Sequence, residues 1–158
     1  MANALRARAL RLLARREMSC AELRTKLGPF AASPAEIDAL LDDLMQSKLQ
    51  SDARFTEALV HRLAPRLGTA RIAAELRGKG VAPELADEAI AALRADETAR
   101  ARAVWRRKFR HLPATREERA KQGRFLMSRG FSADTVRKIL SGDPGSGEED
   151  VFAEGDIE

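Results

Sequence analysis

The sequence predicts an all-α fold in which three tandem three-helix units, each helix-turn-helix-like, form an elongated, curved rod. Alanine is abundant, valine and isoleucine are sparse and tyrosine is absent, a composition that favours helices over strands. Residues that cap or stop helices recur along the chain. A leucine in a similar local setting returns at Leu23, Leu76 and Leu126, with spacings of 53 and 50 residues. A supersecondary unit that recurs at such a period indicates a repeat array.

Three helices are expected in the first unit, residues 1–50. The first helix covers about residues 4–16, where apolar residues follow helical spacing. Ser19 and Glu22 have the spacing of a capping box, in which each side chain binds the other residue's backbone N–H at the start of a helix. Ser33 precedes a proline and begins the third helix, because proline is well suited to the first helical position.

The same cycle is predicted in the second unit, residues 51–96. Asp52 is expected to cap its first helix, which breaks near Gly68. Thr69 begins a short second helix, and Pro83 begins the third.

A third cycle is predicted over residues 97–142. Its first helix ends before Pro113, and its second runs from about Thr115 to Gly130. Ser132 begins the last helix of the chain.

Glycines end the middle helices of the second and third units. Gly80 and Gly130 each lie four residues after the recurring leucine and precede an apolar residue. Glycine suits this place because the chain leaves a helix there through a positive φ. The segment Gly78-Lys79-Gly80 also resembles a phosphate-binding turn, but it follows a helix and lacks the rest of a P-loop. We therefore interpret it as a helix end.

Charge is distributed unevenly along the chain. The whole sequence has 28 basic and 24 acidic residues, but residues 143–158 contain seven acids and no base. Residues 100–140 contain 13 basic and three acidic residues. Such a positive concentration suits an anionic partner. The acidic, glycine-rich segment 143–158 is expected to be a disordered tail, which either solubilises the protein or competes with an anionic ligand for the basic surface.

Composition also excludes several classes of protein. No apolar run is long enough to span a membrane, and the first residues lack the apolar stretch of a secretory signal. The single cysteine, Cys20, cannot form an internal disulfide. We therefore expect a soluble, cytoplasmic, monomeric protein.

The sequence contains no recognisable catalytic constellation. His61 and His111 fall in different units, with no acid or nucleophile at a known spacing, and Cys20 has no histidine near it in sequence. No phosphate-binding glycine loop, dinucleotide motif or metal-ligand spacing occurs. We therefore predict that the protein is not an enzyme and uses no metal or other cofactor.

Arginine accounts for most of the positive charge. It binds carboxylates and phosphates in a bidentate manner and is favoured at protein interfaces. Helical spacing predicts that Arg100, Arg107 and Lys108 lie on an exposed stripe. Trp105 and Phe131 could stack on nucleic-acid bases, but their helical offsets favour packing in the core.

Four segments, two in the second unit and one in each of the others, together resemble the RecX family of regulatory proteins. The central segments are Ser51-Asp52-Ala53-Arg54-Phe55 and Gly68 to Val81, with its Glu75-Leu76 and Lys79-Gly80-Val81. The flanking ones are Ala14 to Leu27 and Lys121 to Phe131. The resemblance covers about residues 5–141.

The resemblance implies three tandem three-helix repeats and a regulatory function. The family is expected to bind the filament that the RecA recombinase forms on DNA, and to restrain its ATPase and strand exchange in recombination and DNA repair. The candidate contacts to the filament or its DNA are basic residues of the second and third units: Arg54, Arg62, Arg66, Arg71, Lys79, Arg106, Arg107, Lys108, Lys121, Arg124 and Arg129. The alternative is a helix-turn-helix-like protein that binds DNA directly.

Overall fold

The computed structural model describes residues 2–142. The predicted tail, residues 143–158, lies outside the described residues. The described chain forms nine α-helices and one short 3-10 turn at Gly28–Phe30, and it contains no strand. The helices are α1 (Ala2–Leu13), α2 (Cys20–Leu27), α3 (Pro34–Gln46), α4 (Asp52–Leu63), α5 (Thr69–Gly78), α6 (Pro83–Arg94), α7 (Glu97–Lys108), α8 (Arg116–Ser128) and α9 (Ala133–Leu140).

Each set of three helices closes around its own hydrophobic core. Leu23, Leu76 and Leu126 are fully buried, one in each core, so the recurring leucine of the sequence is the central residue of each unit. Short helices such as these are marginal alone and are stabilised by burying an apolar face against their neighbours. The all-α fold of three tandem three-helix units is therefore confirmed.

The units follow one another in series. Side-chain hydrogen bonds join the first unit to the second at Ser19 and Lys79, and the second to the third at Thr69 and Glu97. Among the described residues, no hydrogen bond or ion pair joins the first unit to the third. Contacts restricted to neighbouring units are typical of a repeat array.

Most of the predicted helix starts are confirmed by their caps. Ser19 and Glu22 form the predicted capping box, with the Ser19 hydroxyl accepting from Glu22 N at 3.1 Å. The hydroxyls of Ser33, Thr115 and Ser132 likewise accept a backbone N–H three residues later. Each cap satisfies an N–H that has no partner inside its own helix.

Two predicted helix boundaries are wrong: the cap at the start of α4 and the end of α1. Ser51, not Asp52, caps α4, because Asp52 instead accepts a hydrogen bond from Cys20 N at 2.9 Å. The first helix ends at Leu13 rather than near residue 16, and the Arg16 guanidinium turns to Glu22 at 3.0 Å. At Asp52 the contact with Cys20, which is 32 positions away, overrides the local pattern.

Candidate functional site

The first and second units meet where the start of α2 contacts the end of α5. The Ser19 hydroxyl donates to the Lys79 carbonyl at 2.6 Å, and Lys79 Nζ lies 3.1 Å from Glu22 Oε1. Gly80 has a φ of 73°, and a Cβ atom there would lie 2.5 Å from Ala21 Cβ. Gly80 therefore ends its helix, as predicted, and also allows the two units to approach closely.

Glu22 is the central charged residue of this first junction. Its side chain is only 9% exposed, and it accepts hydrogen bonds from Arg16, Lys79 and the backbone of Ser19. Burial raises the pKa of the Glu22 carboxyl, but these hydrogen bonds outweigh it and lower the pKa to about 2. The ionised carboxylate is thus the form that holds the junction.

Acid will weaken this junction. Because the folded pKa of Glu22, about 2, lies below its ordinary 4.5, its contribution is present above pH 4.5 and lost as pH falls towards 2. We expect Glu22→Gln to lower the free energy of unfolding at pH 7 by about 2 kcal/mol, since Arg16 and Lys79 are partly solvated. Urea unfolding of both proteins between pH 7 and pH 2.5 measures this. The difference should shrink below pH 4.5, and a constant difference would contradict the assignment.

The second and third units meet in the same manner. Gly68 N donates to the Arg129 carbonyl at 2.7 Å, and Ala70 N donates to the Gly130 carbonyl at 3.2 Å. Gly130 has a φ of 89°. Again the start of one middle helix contacts the glycine that ends the next. In the first unit the residue four after the recurring leucine is Leu27, and Gly28, which follows it, adopts an ordinary helical φ of −46°.

A buried carboxylate stabilises this second junction. Glu97 accepts hydrogen bonds from Thr69 N at 3.1 Å, from the Ser132 hydroxyl at 3.1 Å and from the Thr135 hydroxyl at 2.7 Å. Burial raises the pKa of Glu97, but these donors outweigh it and leave the pKa below its usual value. Glu97 thereby connects α5, α7 and α9, which belong to two units.

Arg100 occupies the same junction. Its guanidinium donates to the carbonyls of Leu67 at 2.7 Å, Ala64 at 3.2 Å and Leu93 at 3.2 Å. The side chain is 11% exposed, and burial lowers its pKa. The prediction that Arg100 belongs to an exposed stripe is therefore wrong, because its donors satisfy carbonyls that the ends of α4 and α6 leave without partners.

Four of the eleven candidate bases are held by contacts within the protein. Arg54 pairs with Glu17 at 2.9 Å, and Lys79 pairs with Glu22. The other two donate to backbone carbonyls across the second junction, Arg71 to Ser128 at 3.1 Å and Arg107 to Pro65. Each of these four side chains therefore makes a contact between two units.

Two further candidates lie against an aromatic ring. Lys108 Nζ is 4.6 Å and Arg129 Cζ is 5.1 Å from the centre of the Phe125 ring. Phe109 meets the same ring edge-on, at 5.4 Å between centroids. The cation–π contacts position both cations without neutralising their charge, so each can still attract an anion.

The remaining five candidates are exposed and make no ion pair or side-chain hydrogen bond with the described residues. They are Arg62, Arg66, Arg106, Lys121 and Arg124. Two lie on or just after α4, and three lie on α7 and α8 of the third unit. Lys121 interacts electrostatically with Glu118 on the same helix, but none of the five is held by an ion pair, so each can still attract an external anion.

The aromatic side chains of the third unit belong mainly to its core. Phe131 is 2% exposed, and Trp105 is half-buried with its indole N–H donating to Gln122 Oε1 at 2.8 Å. His61 and His111 are both exposed. Cys20 lies 3.2 Å from Gln50 Oε1, and burial raises the pKa of its thiol.

Within residues 2–142, no group of side chains has the arrangement of a metal site. No helix in this range is long and apolar enough to cross a bilayer.

The sequence did not reveal the residues of the junctions. Glu97 is an ordinary acid in the first turn of a helix, and Gln50 reads as a loop residue. Gln50 is nevertheless 2% exposed, and its amide donates to Met18 O at 3.1 Å and to Asp52 Oδ1 at 2.8 Å. No periodicity marks such residues, because each has at least one partner in another unit.

Together these features define the class of the protein: a three-unit helical repeat protein with buried polar junctions and a cationic third unit. Family models cover each unit in order, described as the first, second and third three-helix domains of RecX, at residues 6–44, 51–90 and 95–140. The chain belongs to the RecX family of regulatory proteins.

Curated relatives agree with this assignment. The chain is 52% identical over 136 residues to the regulatory protein RecX of Leptothrix cholodnii, covering 86% of this chain and 87% of that protein. It is 43% identical over 152 residues to the Chromobacterium violaceum protein of the same name, covering 96% of each.

The fold is also that of solved structures. The RecX crystal structure from Lactobacillus salivarius matches with a TM-score of 0.78 at 19% identity, over 89% of this chain and 95% of that one.

Proposed function

We propose that this protein binds the filament of RecA recombinase on DNA and inhibits or modulates its ATPase and strand exchange during recombination and repair. Membership of a family of regulatory proteins supports a regulatory role. The observation that carries the proposal is that the third unit keeps exposed, unpaired bases at Arg106, Lys121 and Arg124 while buried contacts fix the units to one another.

Charge and shape would serve different steps of binding. Exposed bases accelerate encounter with an anionic polymer and orient the protein on it. Three units joined in series then contact several places on the polymer at once, so that weak contacts add through a high effective concentration. Arg62 and Arg66 extend the exposed positive charge into the second unit. The proposed site is therefore the set of exposed candidates, together with Lys108 and Arg129 on the Phe125 ring.

The junctions give the proposal its mechanism. A rod whose units cannot move freely would hold neighbouring recombinase protomers at a fixed spacing. Such a clamp opposes the motions that accompany ATP hydrolysis and strand exchange, because an unchanged spacing is the state it binds best. We further propose that the protein acts as a monomer in the cytoplasm.

A comparison of the protein's affinity for bare DNA with its affinity for recombinase-coated DNA tests this function. We expect the protein to bind coated single-stranded DNA at least about tenfold more tightly than the same bare oligonucleotide at matched salt, because more contacts are available on the filament. Fluorescence anisotropy measures both affinities, and ATPase activity of the preformed filament should fall over the same concentration range. Equal or tighter binding to bare DNA would instead favour a DNA-binding protein that acts without the recombinase. Salt must be held constant, since phosphate contacts weaken steeply with salt.

A further inference from the structure

A small basic cleft lies on the third unit between the end of α7 and α8. It has a volume of about 160 Å³, and its lining includes Arg110, His111, Lys121 and one acid, Glu118. The Glu118 carboxylate already accepts a hydrogen bond from Ala114 N at 2.7 Å. Arg110 and Lys121 are exposed and make no ion pair within the described chain, although Glu118 interacts electrostatically with Lys121. The cleft therefore offers two unpaired cations to a carboxylate or phosphate.

The described chain ends close to a residue that neighbours this cleft in sequence. Gly142 lies so close to Leu112 that a Cβ atom on Gly142 would be 2.7 Å from Leu112 Cδ1. Leu112 directly follows His111, which lines the cleft. Just before this point, Arg119 donates to the Leu140 carbonyl at 3.3 Å, which fixes the end of α9 against α8. The last described residue is therefore held close to Leu112, two positions after Arg110 in the sequence.

The sequence that follows has the complementary charge. Residues 143–158 contain seven acids and no base, and three of the acids are consecutive, Glu148, Glu149 and Asp150. The six Cα-to-Cα steps from Gly142 to Glu148 span at most about 20 Å. A segment tethered at this distance has an effective concentration in the millimolar range, so even a weak ion pair is populated.

We propose that this cleft is the docking site for the chain's own acidic C-terminal segment, with carboxylates of residues 148–154 placed against Arg110 and Lys121. The segment then acts as an internal competitor for the third unit's basic surface. A polyanion must displace it before binding, which lowers affinity for weak, nonspecific polyanions more than for a partner with many contacts. This competitive effect rests on the proposed function, whereas the docking itself does not.

Zero-length cross-linking of the full chain tests the docking. A carbodiimide joins a carboxyl group to a lysine amine without a spacer, so the two groups must come into direct contact, and the sequence has six lysines. We expect peptides of residues 148–154 to be joined to Lys121 at a yield several-fold above that to Lys26 or Lys48 of the first unit. The Lys121 product should fall sharply in 1 M salt, where the screening length is about 3 Å. Equal yields at the three lysines, or no product, would overturn the docking.

The competitive effect is measured without recombinase. We expect the variant E148Q/E149Q/D150N/E154Q to bind a bare oligonucleotide about three- to tenfold more tightly than the unaltered chain at low salt. The matched control neutralises four exposed acids of the second unit (E57Q, E84Q, D87N and E88Q) and should change affinity less. Equal gains in both variants would overturn the competition by showing an effect of net charge alone. Because neither measurement contains a filament, these failures are distinguishable from failure of the proposed function.

Discussion

Alanine in place of Gly130 will disrupt the junction between the second and third units. Gly130 has a φ of 89°, where an L-residue costs about 1–3 kcal/mol. A Cβ atom there would also lie 2.7 Å from the backbone nitrogen of Arg71, which cannot move without disturbing α5. Strain and overpacking together should lower the free energy of unfolding by about 3 kcal/mol. Inhibition of the filament ATPase should weaken with it, because the third unit loses its fixed position.

The single tryptophan allows the loss of stability to be measured in the third unit. Trp105 lies in the third unit, so its fluorescence during urea unfolding follows that unit. Gly78→Ala is the matched control, since a Cβ atom at Gly78 would meet nothing within 4 Å and this residue ends α5 without a positive φ. It should leave the transition unchanged or raise the unfolding free energy by up to about 1 kcal/mol. A Gly130→Ala protein that unfolds at the same urea concentration as the Gly78→Ala protein would contradict the role given to the junction.

The local parts of the fold could be predicted from the sequence because their causes are local. A cap such as Ser19 acts on N–H groups two or three residues away, and the recurring leucine is buried by helices of its own unit. Asp52 is different. It fits a capping pattern equally well, but Cys20 N of the first unit competes for its carboxylate and Ser51 takes the cap. Sequence patterns do not contain that competition.

The candidate surface could be predicted only in part, for a related reason. A basic residue has the same local pattern whether its guanidinium meets solvent or a distant carbonyl. Arg106 and Arg107 are neighbours on α7, yet Arg106 is unpaired while Arg107 donates to the carbonyl of Pro65 in the second unit. The concentration of positive charge was therefore visible in the sequence, but the division between bases that bind partners and bases that join units required the structure.

Reversing the charge of three exposed bases of the third unit will abolish most of the proposed inhibition. In the variant R106E/K121E/R124E the unpaired cations become acids, so attraction to an anionic filament turns into repulsion. We expect the concentration needed for half-maximal inhibition of the filament ATPase to rise by at least about tenfold, mostly through slower association. None of the three side chains makes an ion pair or side-chain hydrogen bond with the described residues. Each substitution should therefore change the unfolding free energy by no more than about 0.5 kcal/mol.

The control for this reversal must carry the same net charge, because global repulsion alone would weaken binding to any polyanion. R11E/R15E/K26E changes three exposed bases of the first unit by the same amount and leaves the third unit intact. If the third unit's surface makes the contact, this control should retain most of the inhibition, and both variants should keep the helical circular dichroism of the unaltered chain. Equal loss in the two variants would mean that net charge, not position, determines binding. Full inhibition by R106E/K121E/R124E would remove these three residues from the interface and leave Arg62 and Arg66 of the second unit as the remaining exposed candidates without an internal contact.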